Sequence, residues 1–285
     1  MYQALYRKYR PVDFDDVVGQ KVIIQTLKNS VLNNKINHAY LFTGPRGTGK
    51  TSIAKILAKI VNCESLNGST PCNKCVSCTQ TNNKQNTDII EIDAASNNGV
   101  DEIRELRDKV SLVPSYGKYK VYIIDEVHML TTAAFNALLK TLEEPPKHII
   151  FILATTEPHK IPMTILSRCQ RFDFKKISIN DIKNRLEYVC DKEKIKIEPQ
   201  AIELIAKLSD GGMRDSLSLL DQLTAYTTNK ISVNDVNDVY GVITNEEIVD
   251  LLKIIYDGNI ATSFNLINKY DEEGKNLVKI MELAI

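Results

Sequence analysis

The sequence predicts an α/β core built on a parallel β-sheet, followed by a region made only of helices. Short apolar runs alternate with longer helical patterns from about residue 39 to residue 177. Continuous β-branched runs of this kind are typical of a parallel sheet that helices cover on both faces. After residue 177 helical spacing continues without strand-like runs. The length of 285 residues also exceeds the usual size of one hydrophobic core, which indicates at least two domains.

The predicted core, residues 1–177, contains four strands, at 39–43, 88–93, 121–125 and 149–155. Helices are expected between them, because apolar residues there recur every three or four positions. These apolar stripes lie within 52–61, at Ile103, Leu106 and Val110, and at Phe135, Leu138, Leu139 and Leu142. The last helix should end before Pro145 and Pro146, since a residue that precedes proline disfavours helical geometry.

Two helical regions are expected beyond the core, a complete domain at 178–242 and part of another at 243–285. Their apolar stripes include Ile182, Leu186, Val189, Cys190, Ile202, Ile205, Leu208 and the run 217–223. The stretch T244-N-E-E247 has the pattern of a capping box, which predicts a helix start. The pattern then reaches Ile285 without a stop signal, so the last unit is expected to be incomplete.

Composition excludes several classes of protein. The 36 basic and 36 acidic residues give no net charge, so binding to DNA or anionic membrane would need local patches. A charged fraction of 25% and a hydrophobic fraction of 43% exclude a disordered or fibrous chain. Apolar runs stay below the roughly 18 residues of a membrane span, and the first ten residues lack a signal-peptide core. We therefore expect a cytoplasmic protein with no membrane partner.

A phosphate-binding loop follows the first predicted strand. The stretch G44-P-R-G-T-G-K-T51 matches G-x-x-x-x-G-K-[ST] and precedes a predicted helix, which is the context that the motif requires. Its backbone N–H groups and the helix start favour bound phosphate. Lys50 is expected to contact the β- and γ-phosphates, and the Thr51 hydroxyl is expected to bind Mg²⁺. The flanking elements disfavour the alternative of a chance glycine-rich turn.

Two carboxylates lie at the carboxyl end of the strand at 121–125. In V121-Y-I-I-D-E-V-H128, Asp125 suits an indirect hold on Mg²⁺, and Glu126 suits orienting or activating a water. Acidic residues at the start of a loop are common, so the pair alone is weak evidence for a catalytic site. Together with Lys50 of the phosphate loop, it is strong evidence. His128 allows a catalytic interpretation, but a lone histidine at a strand-to-loop junction is more often structural, and that interpretation is favoured. Glu143 and Glu144 are interpreted as a solvated helix end.

Four cysteines with the spacing C63-x₈-C72-x₂-C75-x₂-C78 lie within a predicted module at about 62–80. In a reducing compartment such a cluster indicates metal or redox chemistry. Four thiolates complete tetrahedral Zn²⁺ and leave no position for substrate, so the site would be structural. The alternative is a redox C-x-x-C, which should open a helix after a strand. The other cysteines, expected to pack as small hydrophobic residues, are Cys169 and Cys190.

The ordered motifs resemble those of the AAA+ ATPases, and more narrowly those of the gamma/tau family of bacterial clamp-loader subunits. The matching stretches are R7-K-Y-R-P11, V17-V-G-Q20, N136-A-L-L-K-T-L-E-E-P-P146, L153-A-T-T-E157 and I165-L-S-R-C-Q-R171. The resemblance extends to about Gly241. It implies a P-loop AAA+ core with a parallel sheet and a zinc-binding insertion, an all-helical lid domain, and the start of a helical collar domain used in oligomerisation.

The resemblance also assigns roles to single residues. Thr156 matches a sensor of the γ-phosphate, and Arg214 in G211-G-M-R-D215 matches a second sensor. Arg168 matches the arginine finger, which acts on ATP bound to a neighbouring subunit; without the family match, an ordinary surface salt bridge would be expected for it. The expected nucleotide contacts are Val17 and Val18 at the adenine, and Gly44, Pro45, Arg46, Gly47, Thr48, Gly49, Lys50 and Thr51 at the phosphates.

The family implies ATP, Mg²⁺ and Zn²⁺ as cofactors and a motor that loads the sliding clamp onto primer-template DNA within a ring of loader subunits. Arg104 and Lys140 match positions that grip the DNA backbone, while Asn97 and Asn98 stand where a basic residue would help. The alternative for Arg104 and Lys140 is a solvated helix face. The chain shows no carboxylate cluster for nucleotide addition, so a polymerase site of its own is not expected.

Three other functions are considered. A related AAA+ helicase or branch-migration ATPase shares the phosphate loop and the sensors, but the cysteine insertion and the S167-R-C169 context argue against it. An ATP-binding scaffold without useful turnover is disfavoured by the intact set of Lys50, Asp125 and Glu126. A small-molecule kinase is disfavoured further, because nothing in the sequence indicates a phosphate-acceptor pocket.

Overall fold

The computed structural model describes residues 2–83, 85–241, 245–272 and 274–275. The chain divides into two compact units. The first comprises Met1–Ile182 with Asp210–Asp215, and the second comprises Lys183–Ser209 with Ser216–Ile285. The predicted division at 177 and 242 into three domains stays a prediction.

The first unit is built on a five-stranded sheet in the order β2-β3-β4-β1-β5, in which all neighbouring strands are parallel. The strands are β1 Ala39–Thr43, β2 Ile89–Asp93, β3 Lys120–Asp125, β4 Ile149–Thr155 and β5 Gln170–Asp173. The predicted parallel α/β fold is confirmed. The sequence analysis missed β5, because this edge strand buries only Phe172 and lacks a continuous apolar run.

Helices cover both faces of the sheet. Tyr40 and Phe42 of β1 face a core that also includes apolar residues of α2 and α3, whereas Leu41 faces a core formed with α5, α6 and α7. This alternation follows from the period of two in a strand. The helices of this unit are α1 Leu5–Lys8, α2 Lys21–Leu32, α3 Lys50–Val61, α4 Val76–Asn82, α5 Val100–Val110, α6 Thr132–Glu143 and α7 Met163–Leu166, with 3₁₀ turns at Val127–Met129 and Pro158–Lys160.

Within its described residues, the second unit consists of helices joined by loops, with a single bridge between Ile197 and Ile231. Ser232 and Asp235 form a reciprocal capping box at the start of one of its helices. The predicted capping residue Thr244 lies outside the described residues. The remaining helices are α8 Ile179–Glu193, α9 Pro199–Leu208, α10 Met213–Tyr226, α11 Val233–Tyr240, α12 Asn245–Tyr256 and α13 Ile260–Glu272; α8 and α10 begin within the residue ranges of the first unit.

Parallel pairing brings the carboxyl ends of the central strands to one edge of the sheet. Thr43 at the end of β1 pairs in register with Thr155 at the end of β4, and β3 ends beside them at Asp125. The loops that follow these strands therefore converge, as expected for ligand sites in open α/β sheets. No helix among the described residues is long and apolar enough to cross a membrane.

Candidate functional site

The phosphate loop joins β1 to α3 and is shaped by glycine. Gly44 has φ 134°, and a Cβ placed on it would lie 2.3 Å from the carbonyl oxygen of Phe174. Only glycine fits this close approach. At the other end of the loop, Gly49 has φ 100° and directly precedes α3. The first N–H groups of α3 therefore point into the loop without intrahelical acceptors, which is the arrangement that binds phosphate.

Lys50 is buried within this loop. Its side-chain ammonium donates hydrogen bonds to the carbonyl oxygens of Gly44 and Pro45, at 2.8 Å each. Burial lowers the pKa of Lys50, and the negative charges of Glu126 and Asp125 oppose that shift. The ammonium thus lies near two carboxylates at the place where the motif expects phosphate contacts.

Thr51 and Asp125 meet at the start of α3. The Thr51 hydroxyl donates to Asp125 Oδ2 at 2.7 Å. The other carboxylate oxygen of Asp125 accepts the backbone N–H of Glu126 at 3.1 Å. A hydroxyl and a carboxylate side by side form the oxygen-rich set that Mg²⁺ prefers when phosphate oxygens complete its shell. The donor chemistry therefore fits Mg²⁺ bound with a nucleotide.

Glu126 is held by Thr156. Glu126 has left-handed backbone geometry, with φ 47°, directly after β3. Its Oε2 atom accepts hydrogen bonds from the backbone N–H and the hydroxyl of Thr156, at 3.3 and 3.1 Å. The structure thus joins the predicted base to the predicted sensor across the ends of β3 and β4.

His128 belongs to the same group of side chains, although the sequence analysis interpreted it as structural. Its side chain is only 7% exposed. Its Nδ1 atom lies 3.1 Å from the Thr155 hydroxyl and 3.4 Å from Glu126 Oε2, and its Nε2 atom lies 3.1 Å from Glu157 Oε1. The available signal was its position two residues after Glu126, but Thr155 and Glu157 become neighbours only through pairing of β3 with β4.

Arg168 lies apart from this group. Its guanidinium donates to Glu143 Oε1 at 2.7 Å, to the Thr164 carbonyl at 2.8 Å and to the Ser167 hydroxyl at 3.3 Å. Within the part of the chain that the structure describes, no contact joins Arg168 to Lys50 or Glu126. Glu143, interpreted as a solvated helix end, is exposed at the end of α6 and also forms an ion pair with Arg168.

Arg214 lies in the short range Asp210–Asp215 that belongs to the first unit. This range approaches the phosphate loop, since the backbone N–H of Met213 donates to the Gly47 carbonyl at 3.0 Å. The Arg214 guanidinium lies 5.0 Å from the centre of the Tyr6 ring, a cation–π geometry. Tyr6 was missed by the sequence analysis.

The remaining predicted nucleotide contacts surround the loop. Val17 and Val18 are partly buried, and Val17 packs against the core that includes α2 and α3. The Thr48 hydroxyl donates to the Pro45 carbonyl at 2.8 Å, which tightens the loop. Pro45 and Arg46 are exposed. Arg10 was also missed, and its Nε donates to the hydroxyl of Ser52 on α3 at 3.2 Å.

The four cysteines of the module converge. One sulfur atom from each of Cys63, Cys72, Cys75 and Cys78 lies within 4.8 Å of the other three. Backbone N–H groups point at these sulfurs, including those of Lys74 and Cys75 at Cys72 Sγ, 3.5 and 3.3 Å away. Those two donors lower the pKa of Cys72 to about 6, whereas burial raises the pKa of Cys63 and of Cys78. Four convergent thiols and inward N–H donors fit a closed Zn²⁺ site.

Cys75 is the N-cap of α4, so C75-V-S-C78 opens a short helix. The segment before it is a loop with one bridge between Asn67 and Thr70, not the strand that a redox C-x-x-C should follow. The convergence of all four sulfurs also favours a metal site. Burial raises the pKa of Cys169 and of Cys190 to about 12, which disfavours their thiolate forms.

Lys59 ties α3 to the cysteine module and was missed by the sequence analysis. It is 5% exposed, and its ammonium donates to the side-chain oxygens of Asn73 and Asn82. Because a buried ammonium needs polar partners, this pair of bonds fixes the module on the helix.

The candidate DNA contacts lie on the helices α5 and α6, which pack together. Arg104 is exposed and forms an ion pair with Asp101 at 3.1 Å, and Lys140 is exposed. Asn97 and Asn98 are exposed before α5, and the Asn97 side chain donates to the Asp93 carbonyl at 3.0 Å. The geometry leaves both basic side chains accessible to a partner.

Two family models match the chain. Residues 19–178 match the family described as DNA polymerase III, delta subunit. Residues 181–229 match the family described as DNA polymerase III clamp loader subunit, ATPase lid domain. The second match covers the helical region that directly follows the core.

Similar full-length proteins are subunits of bacterial DNA polymerase III. DNA polymerase III subunit tau of Bacillus subtilis is 55% identical over 99% of this chain and 50% of its own length. Subunit tau of Escherichia coli is 45% identical over 96% of this chain and 42% of its own. Subunit gamma of Buchnera aphidicola (subspecies Baizongia pistaciae) is 41% identical over 99% of this chain and 77% of its own. The chain thus spans about half the length of the tau relatives.

Solved structures support the fold. The Holliday junction branch migration motor RuvB of Thermotoga maritima superposes with a TM-score of 0.60 at 21% identity, over 87% of this chain and 79% of that one. Such low identity supports a common AAA+ fold only. The Buchnera subunit and the two family models show that the chain belongs to the gamma/tau family of bacterial DNA polymerase III clamp-loader subunits.

Proposed function

We propose that the chain is the ATP-binding and ATP-hydrolysing motor subunit of a bacterial replicative clamp loader, which opens the sliding clamp and loads it onto primer-template DNA. The observation that carries the proposal is the group formed by Lys50, Thr51, Asp125, Glu126 and Thr156 around the start of α3. The named relatives support the assignment to replication.

Binding of ATP would use the loop and the start of α3. Lys50 would exchange its carbonyl partners for phosphate oxygens, and the N–H groups of Gly47, Gly49 and Lys50 would face the same phosphates. Thr51 and Asp125 would hold Mg²⁺, while Val17 and Val18 would line the adenine. When bound, Mg²⁺ supplies charge neutralisation at the phosphates.

Hydrolysis would need residues from two subunits. Glu126 would orient and deprotonate water, and Thr156 would keep its carboxylate aimed. Arg214 would reach the phosphates of its own site. Arg168 lies apart from that site and would serve the ATP of a neighbour, where an arginine finger contributes about 10³–10⁵ in rate. ATP turnover should therefore depend on assembly.

The cysteine module would bind Zn²⁺ for structure rather than chemistry, because four thiolates leave no position for substrate. Within the described residues it is the only group of three or more His, Cys, Asp or Glu side chains placed to hold a metal. We therefore propose no polymerase site in this chain. We place the protein in the cytoplasm, with other loader subunits, the clamp and DNA as partners and with Arg104 and Lys140 as candidate backbone contacts.

A branch-migration or helicase motor is the second candidate, favoured by the fold shared with the Thermotoga protein. The two functions predict different stimulants of hydrolysis. A loader responds to the clamp together with primed DNA, whereas a branch-migration motor responds to DNA alone.

The test is steady-state ATP hydrolysis by the full-length subunit, reconstituted with its partner subunits, with and without clamp and primed DNA. The wild type is compared with Arg168→Ala, and ATP affinity is measured alongside. We expect strong stimulation by clamp plus DNA, a loss of at least about 10³-fold in the variant, and unchanged ATP binding. Equal rates with and without clamp would overturn the loader proposal in favour of the motor or of a scaffold.

A further inference from the structure

We propose that His128 is a positioning residue for ATP hydrolysis, which acts on Glu126 through the segment Thr155–Glu157. The inference rests on the proposed function, because it concerns the same hydrolytic site. It starts from a side chain that is 7% exposed yet lies within hydrogen-bond distance of two different residues on that segment.

His128 contacts both ends of the segment Thr155–Glu157. Its Nδ1 atom is hydrogen-bonded to the Thr155 hydroxyl at 3.1 Å. Its Nε2 atom lies 3.1 Å from Glu157 Oε1, an ion-pair distance. The Thr155 hydroxyl oxygen accepts the backbone N–H of Glu157 at 3.0 Å. These three contacts close a ring around the turn that follows β4.

The residue inside that turn is Thr156, which donates both of its groups to Glu126 Oε2. His128 itself lies 3.4 Å from the same oxygen and closes one side of the carboxylate. The path therefore runs from His128 to Thr155 and Glu157, then to Thr156, and then to Glu126. His128 fixes the two Thr156 donors that orient the Glu126 carboxylate. His128 itself takes no proton from water.

The segment also continues toward Arg168. Glu157 precedes the 3₁₀ turn Pro158–Lys160, and α7 follows it and ends beside Arg168. Lys160 adds an ion pair to Glu157 at 2.8 Å, which fastens the start of this connection. His128 thus joins the base of one site to the polypeptide that presents the arginine to the next site.

The chain offers a matched control. His159 also approaches Glu157, with Nε2 3.6 Å from Oε2, but its side chain is 73% exposed and does not contact Thr155 or Glu126. Replacing either histidine by leucine removes one imidazole near Glu157. Only replacement of His128 also removes the hydrogen bond to the Thr155 hydroxyl.

The experiment compares wild type, His128→Leu, His128→Gln and His159→Leu in the reconstituted loader with clamp and primed DNA. We expect His128→Leu to lower kcat by about 10- to 100-fold, with KM and ATP affinity changed by less than about twofold. The reason is that the orientation of Glu126 is lost while ATP binding is kept. His128→Gln keeps an N–H donor and should recover part of kcat. His159→Leu should match the wild type.

A second readout does not depend on turnover. In the nucleotide-free subunit, amide hydrogen exchange at Thr156 and Glu157 should accelerate at least about fivefold in His128→Leu and not in His159→Leu, while exchange in α9 stays unchanged. Unchanged kcat together with unchanged exchange at these amides would overturn the inference. So would parallel losses of ATP affinity and of α9 protection, which indicate general unfolding.

The two proposals fail differently. If the wild type hydrolyses ATP in response to clamp and DNA but His128→Leu does the same, the loader stands and the role of His128 is wrong. If the wild type itself shows no clamp-dependent hydrolysis, the proposed function is wrong and the inference falls with it.

Discussion

The hydroxyl of Tyr122 on β3 is buried and has no hydrogen-bond partner among the described residues. Its ring stacks on Phe151 of β4, with ring centres 5.5 Å apart. Burial raises the pKa of Tyr122 to about 12, because the phenolate would lose its hydration. The ring therefore contributes packing while the hydroxyl carries a desolvation cost of about 1–3 kcal/mol.

Removing that hydroxyl should stabilise the protein. We expect Tyr122→Phe to raise the free energy of unfolding by about 1 kcal/mol, measured by urea denaturation. Tyr40→Phe is the matched control, since the buried hydroxyl of Tyr40 accepts the Asn37 N–H at 2.9 Å and its loss should cost about 1 kcal/mol. Equal destabilisation by both variants would contradict the assignment of Tyr122 as unsatisfied.

Gly44 allows a second prediction at the scale of one residue. Gly44→Ala combines unfavourable backbone geometry with a Cβ 2.3 Å from the Phe174 carbonyl oxygen. We expect a loss of about 1–3 kcal/mol in stability, together with loss of ATP binding. Gly68→Ala is the control, because Gly68 has φ 61° but no atom within 4 Å of an added Cβ. Thermal unfolding and nucleotide titration check both variants; intact ATP binding in Gly44→Ala would count against the loop geometry.

At the scale of elements, the cysteine module should depend on its metal. Four thiols become ligands only as thiolates, so zinc binding should release protons and weaken as pH falls. We expect one zinc ion per chain, since the described residues contain one such cluster, and loss of that zinc in Cys75→Ser. Metal analysis and melting temperature are the measurements. Cys190→Ser is the control, and equal zinc loss in it would contradict a site confined to the module.

An element could be predicted from the sequence when its own residues form a clear apolar pattern. The buried strands β1, β3 and β4 are continuous apolar runs and were recognised directly, and so was the amphipathic helix α6. The edge strand β5 has one buried residue and gave no such signal. A continuous apolar run indicates a strand that is buried on both faces of the sheet. It does not indicate which other segment pairs as the edge strand.

The same limit applies to the site. Lys50 and Thr51 could be predicted because their roles follow from spacing within one motif. The approach of Asp125 to Thr51, 74 positions away, followed from the convergence of strand ends in an open α/β sheet and not from spacing within a motif. The ion pair of Arg168 with Glu143 was not predicted, because the two residues meet only where α6 and α7 pack together.

At the scale of the whole molecule, stability should fall in acid. Hydrogen bonds lower the pKa of several carboxyl groups in the folded chain, chiefly from Thr43 to Asp173 and from the Ser232 backbone to Asp235. A carboxyl whose pKa is lower in the folded state contributes stability above its unfolded pKa of about 4 and loses it below. We expect the melting temperature to drop as pH falls from 5 to 3.

A variant isolates one contribution to this dependence. Asp235→Asn should flatten the difference in melting temperature between pH 5 and pH 3, because its capping box no longer depends on ionisation. Asp238→Asn on the same helix is the control. Both share any acid effect on the cysteine module, so the difference between them reports on Asp235. Identical pH profiles would contradict the role assigned to the capping carboxylate.

The helix α3 has a consequence of a mechanical kind. Its first turn completes the phosphate loop, and its last turn carries Lys59, which is fastened to Asn73 and Asn82 of the cysteine module. Twelve residues of α-helix form a rod about 18 Å long. A tilt imposed on such a rod at one end is the same tilt at the other. The surface of the cysteine module therefore follows the orientation of the phosphate-binding end of α3. The module is too far from the phosphates for a direct contact to have this effect.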